Sequence, residues 1–191
     1  MHSHRSFFPV NLQTQWRNAE SVDLDKNLLN WLLDENSLTA RLKTHCQHFR
    51  VQLLGQKVEN CHPKEANQDI HVGEQVLVRE VLLFCDDIPQ VFARSLIPLR
   101  SLTGHESQLA ELGERSLGQV LFNSPNLNRK AIEVASFTQE STVFQLAMSF
   151  SLPEANKLWG RRSVFMLGEK PLMVAEVFLP GAFAYNQENI N

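Results

Sequence analysis

Residues 77–84 read LVREVLLF, a buried strand in every respect except the arginine in its middle. Residues 172–180, LMVAEVFLP, repeat the pattern with a single glutamate. Charged side chains are almost never fully buried unless they are paired or used. A cation and a carboxylate, each set in an apolar strand, point to a small closed pocket that holds a charged ligand.

The rest of the chain supplies the frame. Residues 91–97 form a second strand, and CDDIPQ between them has the Asp and Pro of a hairpin turn. Residues 163–167 and 172–179 form another hairpin around Gly168-Glu169-Lys170-Pro171, and short turns make both pairs antiparallel. Residues 49–58 are a further strand, and residues 61–73 are polar and irregular. Asp23 is a plausible cap for a first helix whose apolar face carries Leu24, Leu28, Leu29, Leu32 and Leu33. Asn36 and Ser37 start a second helix, with Leu38 and Leu42 four apart. Residues 106–112 form a short helix that Gly113 stops. Ser116 and Gln119 fit a capping box for a helix over 116–122. Residues 135–157 mix Thr, Ser and Gln with apolar residues and fit a helix, a strand or a flap equally. Helices, strands, helices and strands in that order give an α+β domain with helices against an antiparallel sheet. At 191 residues this is one domain, expected over 16–185 between a flexible lead at 1–15 and a polar tail at 186–191.

Composition narrows the function classes. The net charge is −3 and the arginines are scattered, so no nucleic-acid partner is expected. An anionic ligand must be held by local arginines or backbone N–H groups. Three cysteines, Cys46, Cys61 and Cys85, share no metal-like spacing and read as reduced thiols. No run is long enough to span a bilayer, and the first residues lack the apolar core of a signal peptide. A cytoplasmic protein without membrane insertion is expected.

Alternation places Arg79 on one face with Leu77, Val81 and Leu83, and Glu176 with Leu172, Val174 and Phe178. A core salt bridge, between these two or with a neighbour, satisfies the same pattern. Glu80, on an apolar face with Val78 and Leu82, favours that plainer reading. Arg94, between Phe92 and Leu96, raises the same question as Arg79. Of the adjacent Arg161 and Arg162, at most one points inward. At the start of the Ser116 helix, the N–H groups of Leu117 and Gly118 lack intrahelical acceptors and suit a carboxylate. His45, Cys46, His48, Cys61 and His62 crowd one region without zinc-ligand spacing. No Gly-rich phosphate loop, Gly-x-Ser-x-Gly elbow or Cys-x-x-Cys pair occurs.

Five blocks, taken together and in order, resemble the chorismate pyruvate-lyase family of bacterial ubiquinone biosynthesis. They are LLNWLLDENSLTARL (28–42), LVREVLLF, LGERSLGQVLF (112–122), LWGRRSVF (158–165) and GEKPLMVAEVFLP (168–180). The resemblance implies a cofactor-free, metal-free conversion of chorismate to 4-hydroxybenzoate and pyruvate. It also implies an antiparallel sheet with the ligand buried under helical flaps, and retention of the product. By family pattern the binding residues fall on Arg79, on the Leu117 backbone and on Glu176. Leu38 stands where the family has a methionine, an apolar swap of similar volume. Residues 135–157 are longer than the family's link, and 56–73 follow it poorly, as a surface loop does. The expected partners are chorismate and 4-hydroxybenzoate alone, with a monomeric protein. A competing reading is a binder of small acids that does no chemistry, since the fold is also similar to the ligand-sensing domains of some bacterial transcription regulators.

Overall fold

Strand pairing organises the computed structural model, which describes residues 7–186. Its strands are β1 (Arg17–Asn18), β2 (Phe49–Asn60), β3 (Gln75–Cys85), β4 (Ile88–Pro98), β5 (Leu127–Arg129), β6 (Glu133–Phe137), β7 (Leu158–Leu167) and β8 (Lys170–Phe178). They form one antiparallel sheet in the order β1-β6-β7-β8-β4-β3-β2, with β5 also on β7. Helices α1 (Lys26–Leu32), α2 (Leu38–Lys43), α3 (Leu117–Phe122) and α4 (Thr142–Met148) pack on it. The class is α+β, as the order of elements predicts.

Local chemistry sets the hairpins. Asp86 and Asp87 form the two-residue turn between β3 and β4 with φ of 47° and 64°, the doubly positive conformation that matches strand twist. The Asp86 carboxylate accepts from His48 N at 2.8 Å and so fixes the entry to β2. The helices are capped where polar residues precede apolar ones. Asp25, two residues past the expected Asp23, caps α1; Ser37 caps α2 and Ser116 caps α3. The turn of helix expected at 106–112 is a 3-10 stretch, Gly104–Glu111.

The sheet is covered on both faces, which is why β3 is buried along nearly its whole length. On the front, α1 and α2 pack Trp31, Leu32, Leu38 and Leu42 against Val51, Val81 and Leu83, and α3 packs Leu117 and Leu121 near Phe165 and Leu172. On the back, Val143, Phe144 and Leu146 of α4 join Leu82, Phe84, Phe92 and Val177. The ambiguous segment 135–157 is thus the end of β6, then α4, then irregular chain. Helix α4 lies against the face opposite Arg79, so it is no lid over that residue.

Two expectations change on this back face. Residues 7–15 of the expected lead are packed: Val10 and Leu12 belong to the core, and the N–H groups of Val10 and Asn11 donate to Glu80 at 2.7 and 3.0 Å. The loop at 61–73 is a surface segment only in part, since Ile70 and Glu65 are buried. Glu65 engages Arg94 through two bonds of 2.6 and 2.9 Å, and Arg94 also reaches Glu80 at 2.8 Å. Arg94 and Glu80 are therefore a structural ion pair that ties two covering segments to the sheet. Arg162 points to this side as well and pairs with Glu133 at 2.7 Å. Of the expected tail, residues 187–191 lie outside the described residues. No helix among the described residues is long and apolar enough to cross a membrane.

Candidate functional site

Register brings the front-face charges together. Arg79 lies opposite Ser95, Val81 opposite Ala93, and Ala93 opposite Glu176, which in turn faces Arg161. Arg79 and Glu176 are thus two strands apart and offset by two residues, about 10 Å across and about 7 Å along the sheet. Long side chains leaning inward close much of that gap. Between them lies a cavity floored by the sheet and roofed by the starts of α2 and α3. Its walls include Val51, Val81, Leu83, Ala93, Val174 and Phe165.

Arg79 is 2% exposed and has no carboxylate partner among the described residues. Its Nη2 donates to the carbonyls of Gly113 and Arg115 at 2.9 and 2.8 Å, while its buried Nε has no hydrogen-bond partner at all. Burial pushes its pKa down to about 10. A buried guanidinium with an orphaned donor is rare in a finished core, because an unmade bond there costs free energy. It fits a site whose anion arrives from outside. The core salt bridge between Arg79 and Glu176 does not form.

Glu176 takes its partner from the neighbouring strand. Its Oε2 accepts from Arg161 Nε at 2.7 Å. The other oxygen, Oε1, has no hydrogen-bond partner among the described residues, and Glu176 lines the cavity. Arg161 is fixed by three carbonyls as well: Asp34 at 2.6 Å, Trp31 at 3.2 Å and Leu32 at 3.3 Å. These are the last turn of α1 and the loop after it, so the ion pair also holds that helix over the site. Of the adjacent arginines, then, only Arg161 faces the pocket.

The roof is built from two helix starts. Leu38 and Thr39 of α2 meet Ser116, Leu117 and Gly118 of α3. Thr39 Oγ1 and Ser116 Oγ share a buried hydrogen bond of 2.8 Å that joins the two covers. The amides of Leu117 and Gly118 have no acceptor among the described residues, consistent with their place in the first turn. Arg79, by holding the carbonyls of Gly113 and Arg115, ties the chain leading into α3 to the sheet.

One pocket residue escapes the sequence reading. Arg129, in β5, lines the cavity. Its Nε donates to Ser163 Oγ at 3.0 Å and its Nη1 to the carbonyls of Asp34 and Glu35 at 3.2 and 3.0 Å. Burial first, and then the charge of Arg161, pushes its pKa down to about 10. It stands in NLNRK, a polar stretch without the apolar flanks that betray Arg79. The pairing of β5 with β7 and the loop after α1 together half-bury it.

The histidine and cysteine neighbourhood gathers no metal site: no cluster of three or more potential ligands occurs among the described residues. His45 instead packs, tilted, against Trp31 and Phe183, with ring centroids 5.1 and 5.2 Å away.

Comparison with known proteins separates fold from family. A family model for chorismate lyase matches residues 10–190. A probable chorismate pyruvate-lyase of Psychromonas ingrahamii is 43% identical over 179 residues, covering 93% of this chain and 96% of its own. Another from Shewanella sp. (strain W3-18-1) is 40% identical over 181 residues, covering 92% and 93%. Among solved structures, a GntR-family transcriptional regulator from Bacillus cereus superposes with a TM-score of 0.53 at 16% identity, over 74% of this chain and 98% of that one. The effector domain of PhnF from Mycobacterium smegmatis gives 0.54 at 13%, over 77% and 90%. At such identity the likeness extends to the fold alone.

Proposed function

Because the chain belongs to the chorismate lyase family, we propose that it removes pyruvate from chorismate to leave 4-hydroxybenzoate, the step that feeds ubiquinone biosynthesis. The observation that carries the assignment of residues is Arg79, a buried guanidinium with an unpartnered Nε on the wall of the cavity.

Chorismate has a ring carboxylate, a ring hydroxyl and an enolpyruvyl ether bearing a second carboxylate. In this reading the ring carboxylate meets Arg79 and the free amide of Leu117, at the junction of sheet and roof. A planar guanidinium suits a carboxylate better than an ammonium does. The ring lies along Val81, Ala93 and Val174, with Leu38 above it. The hydroxyl donates to Glu176 Oε1, whose partner oxygen Arg161 already occupies.

Loss of pyruvate makes the ring aromatic, so the reaction runs downhill and the site's task is orientation. The ether C–O bond breaks, its electrons become the pyruvate carbonyl, and the hydrogen on the hydroxyl-bearing carbon moves to the enolpyruvyl methylene to complete a methyl group. That internal transfer needs no protein base. Glu176 then serves as a hydrogen-bond acceptor that keeps the ether side chain on the reactive side of the ring. Holding the reacting atoms in such a geometry supplies up to about 7–11 kcal/mol. The product keeps the groups bound by Arg79, Leu117 and Glu176, so its release past α2 and α3 limits turnover. A monomer in the cytoplasm completes the proposal, the compartment being one that keeps thiols such as Cys46, Cys61 and Cys85 reduced.

The test is direct. Purified protein mixed with chorismate alone is expected to develop 4-hydroxybenzoate absorbance, and binding without turnover would favour a sensor instead. Glu176→Gln keeps an acceptor and is expected to retain most of kcat; loss of all turnover with chorismate still bound would make Glu176 an obligatory base.

A further inference from the structure

We infer that Arg129 is the second carboxylate clamp of the pocket, which receives the enolpyruvyl carboxylate and so separates the dianionic substrate from its monoanionic ring product. The inference deepens the chorismate reading and rests on it.

Three guanidinium groups line the cavity, those of Arg79, Arg129 and Arg161, against one carboxylate, Glu176. The pocket therefore carries a local charge of +2 inside a chain whose net charge is −3. Desolvated cations of this kind call for an anion of matching charge. A single carboxylate at Arg79 leaves the pocket with one charge unanswered. A dicarboxylate balances it.

Among the three, Arg161 is committed. Glu176 neutralises it and three carbonyls occupy its Nη1. Arg129 hydrogen-bonds only neutral groups, the Ser163 hydroxyl and two carbonyls, and the carboxylates of Glu176, Asp34 and Glu35 act on it through charge without bonding to it. Its guanidinium is also steered by the ring of Phe165, 4.8 Å from the ring centroid. These contacts hold the group in one orientation without cancelling its charge, so it is set up to receive an anion. Nη2 has no acceptor among the described residues.

Position selects which carboxylate. Ser163 and Arg161 lie two apart on β7, on one face, so Arg129 stands beside the Arg161–Glu176 pair, while Arg79 is on β3, two strands from β8. In chorismate the ether is attached next to the carbon that bears the hydroxyl. With the hydroxyl at Glu176 and the ring carboxylate at Arg79, the enolpyruvyl group projects from the Glu176 end. Its carboxylate then comes within reach of Arg129. After the C–O bond breaks, this carboxylate leaves with pyruvate, and 4-hydroxybenzoate offers Arg129 nothing. The same residue therefore favours substrate over product at a site that otherwise binds both.

The experiment uses Arg129→Gln, whose amide nitrogen can take the place of Nε and keep the bond to Ser163 without the charge, and Arg129→Lys, which keeps the charge. Each is measured for kcat/KM with chorismate and, by calorimetry, for the Kd of 4-hydroxybenzoate and of its dianionic counterpart carrying a carboxymethyl ether beside the hydroxyl. Arg129→Gln is expected to lower kcat/KM and the dianion's affinity by about 30-fold or more, with the Kd of 4-hydroxybenzoate within about threefold of the parent. Arg129→Lys is expected to restore part of the loss for the dianion. Equal weakening of monoanion and dianion in both variants would make Arg129 a merely structural residue and overturn the inference, as would no weakening of either. Parent protein that binds both acids yet does not convert chorismate would sink the lyase reading while leaving the dianion comparison readable.

Discussion

Replacing Arg79 with methionine separates binding from stability, because this side chain costs the empty protein something that only a ligand returns. Its lowered pKa, about 10, corresponds to about 3 kcal/mol of unfavourable burial of the charge. Arginine stays protonated at neutral pH, so the cost is borne in full there and is relieved only as pH rises past 10, where the folded state sheds the proton before the unfolded chain does. Methionine removes that cost and fills similar space. Against it stand the bonds to Gly113 and Arg115, worth about 1.5 kcal/mol or more each when one partner is charged. The two sides cancel to within about 1–2 kcal/mol. Binding has no such compensation: loss of the buried partner of a carboxylate costs about 2–5 kcal/mol, or about 30-fold to several thousand-fold in Kd. Urea unfolding without ligand and calorimetry with 4-hydroxybenzoate give the two numbers. Arg79→Met is expected to unfold close to the parent midpoint and to lose most of its affinity. A variant that binds the product within fivefold of the parent would refute this account of Arg79.

Three other changes probe the roof and the back of the sheet. Leu117→Pro removes one amide at the first position of α3, where proline's backbone is already suited to the helix; product affinity is expected to fall about 5- to 30-fold with an unchanged circular dichroism spectrum, and full affinity would exclude that N–H from the site. Thr39→Val deletes the bond to Ser116 at a cost of about 1 kcal/mol, and stopped-flow displacement of 4-hydroxybenzoate is expected to show faster release; an unchanged off-rate would mean the covers move independently. At Glu80, burial outweighs the bonds from Val10, Asn11 and Arg94 and holds the carboxyl above its ordinary range. The folded state thus binds this proton more tightly than the unfolded chain, and the site's penalty is present at neutral pH and lifts as pH falls toward the ordinary carboxylate value. Glu80→Gln should remove that slope, so denaturation midpoints of parent and variant that run parallel between pH 7 and about pH 5 would contradict it.

Much of the site was legible where burial and charge conflict along a short stretch. Arg79 and Glu176 stand out because apolar residues flank them at strand spacing, and Ser116 because a cap precedes apolar residues at helical spacing. Alternation also separated Arg161 from Arg162. The same signal misled at Arg94, since a pattern of two says that a charge is inside but not which face of the sheet it serves. Its partner Glu65 sits in an irregular loop, and no periodicity announces that such a loop folds inward. Arg129 was invisible for the opposite reason: its burial comes from a three-residue strand and from a loop some ninety residues earlier, both long-range events. The segment at 7–15 has no regular period, yet the Val10 and Asn11 N–H groups donate to Glu80 and Val10 and Leu12 enter the core, which sequence spacing does not register.

The single bond between Thr39 and Ser116 couples parts of the chain that are 77 positions apart. A ring enclosed beneath it has no door that swings alone: the hinge of one cover is the latch of the other. On the proposed reading, escape then requires both covers to move together, and the turnover of this protein would follow the temperature dependence of that joint motion.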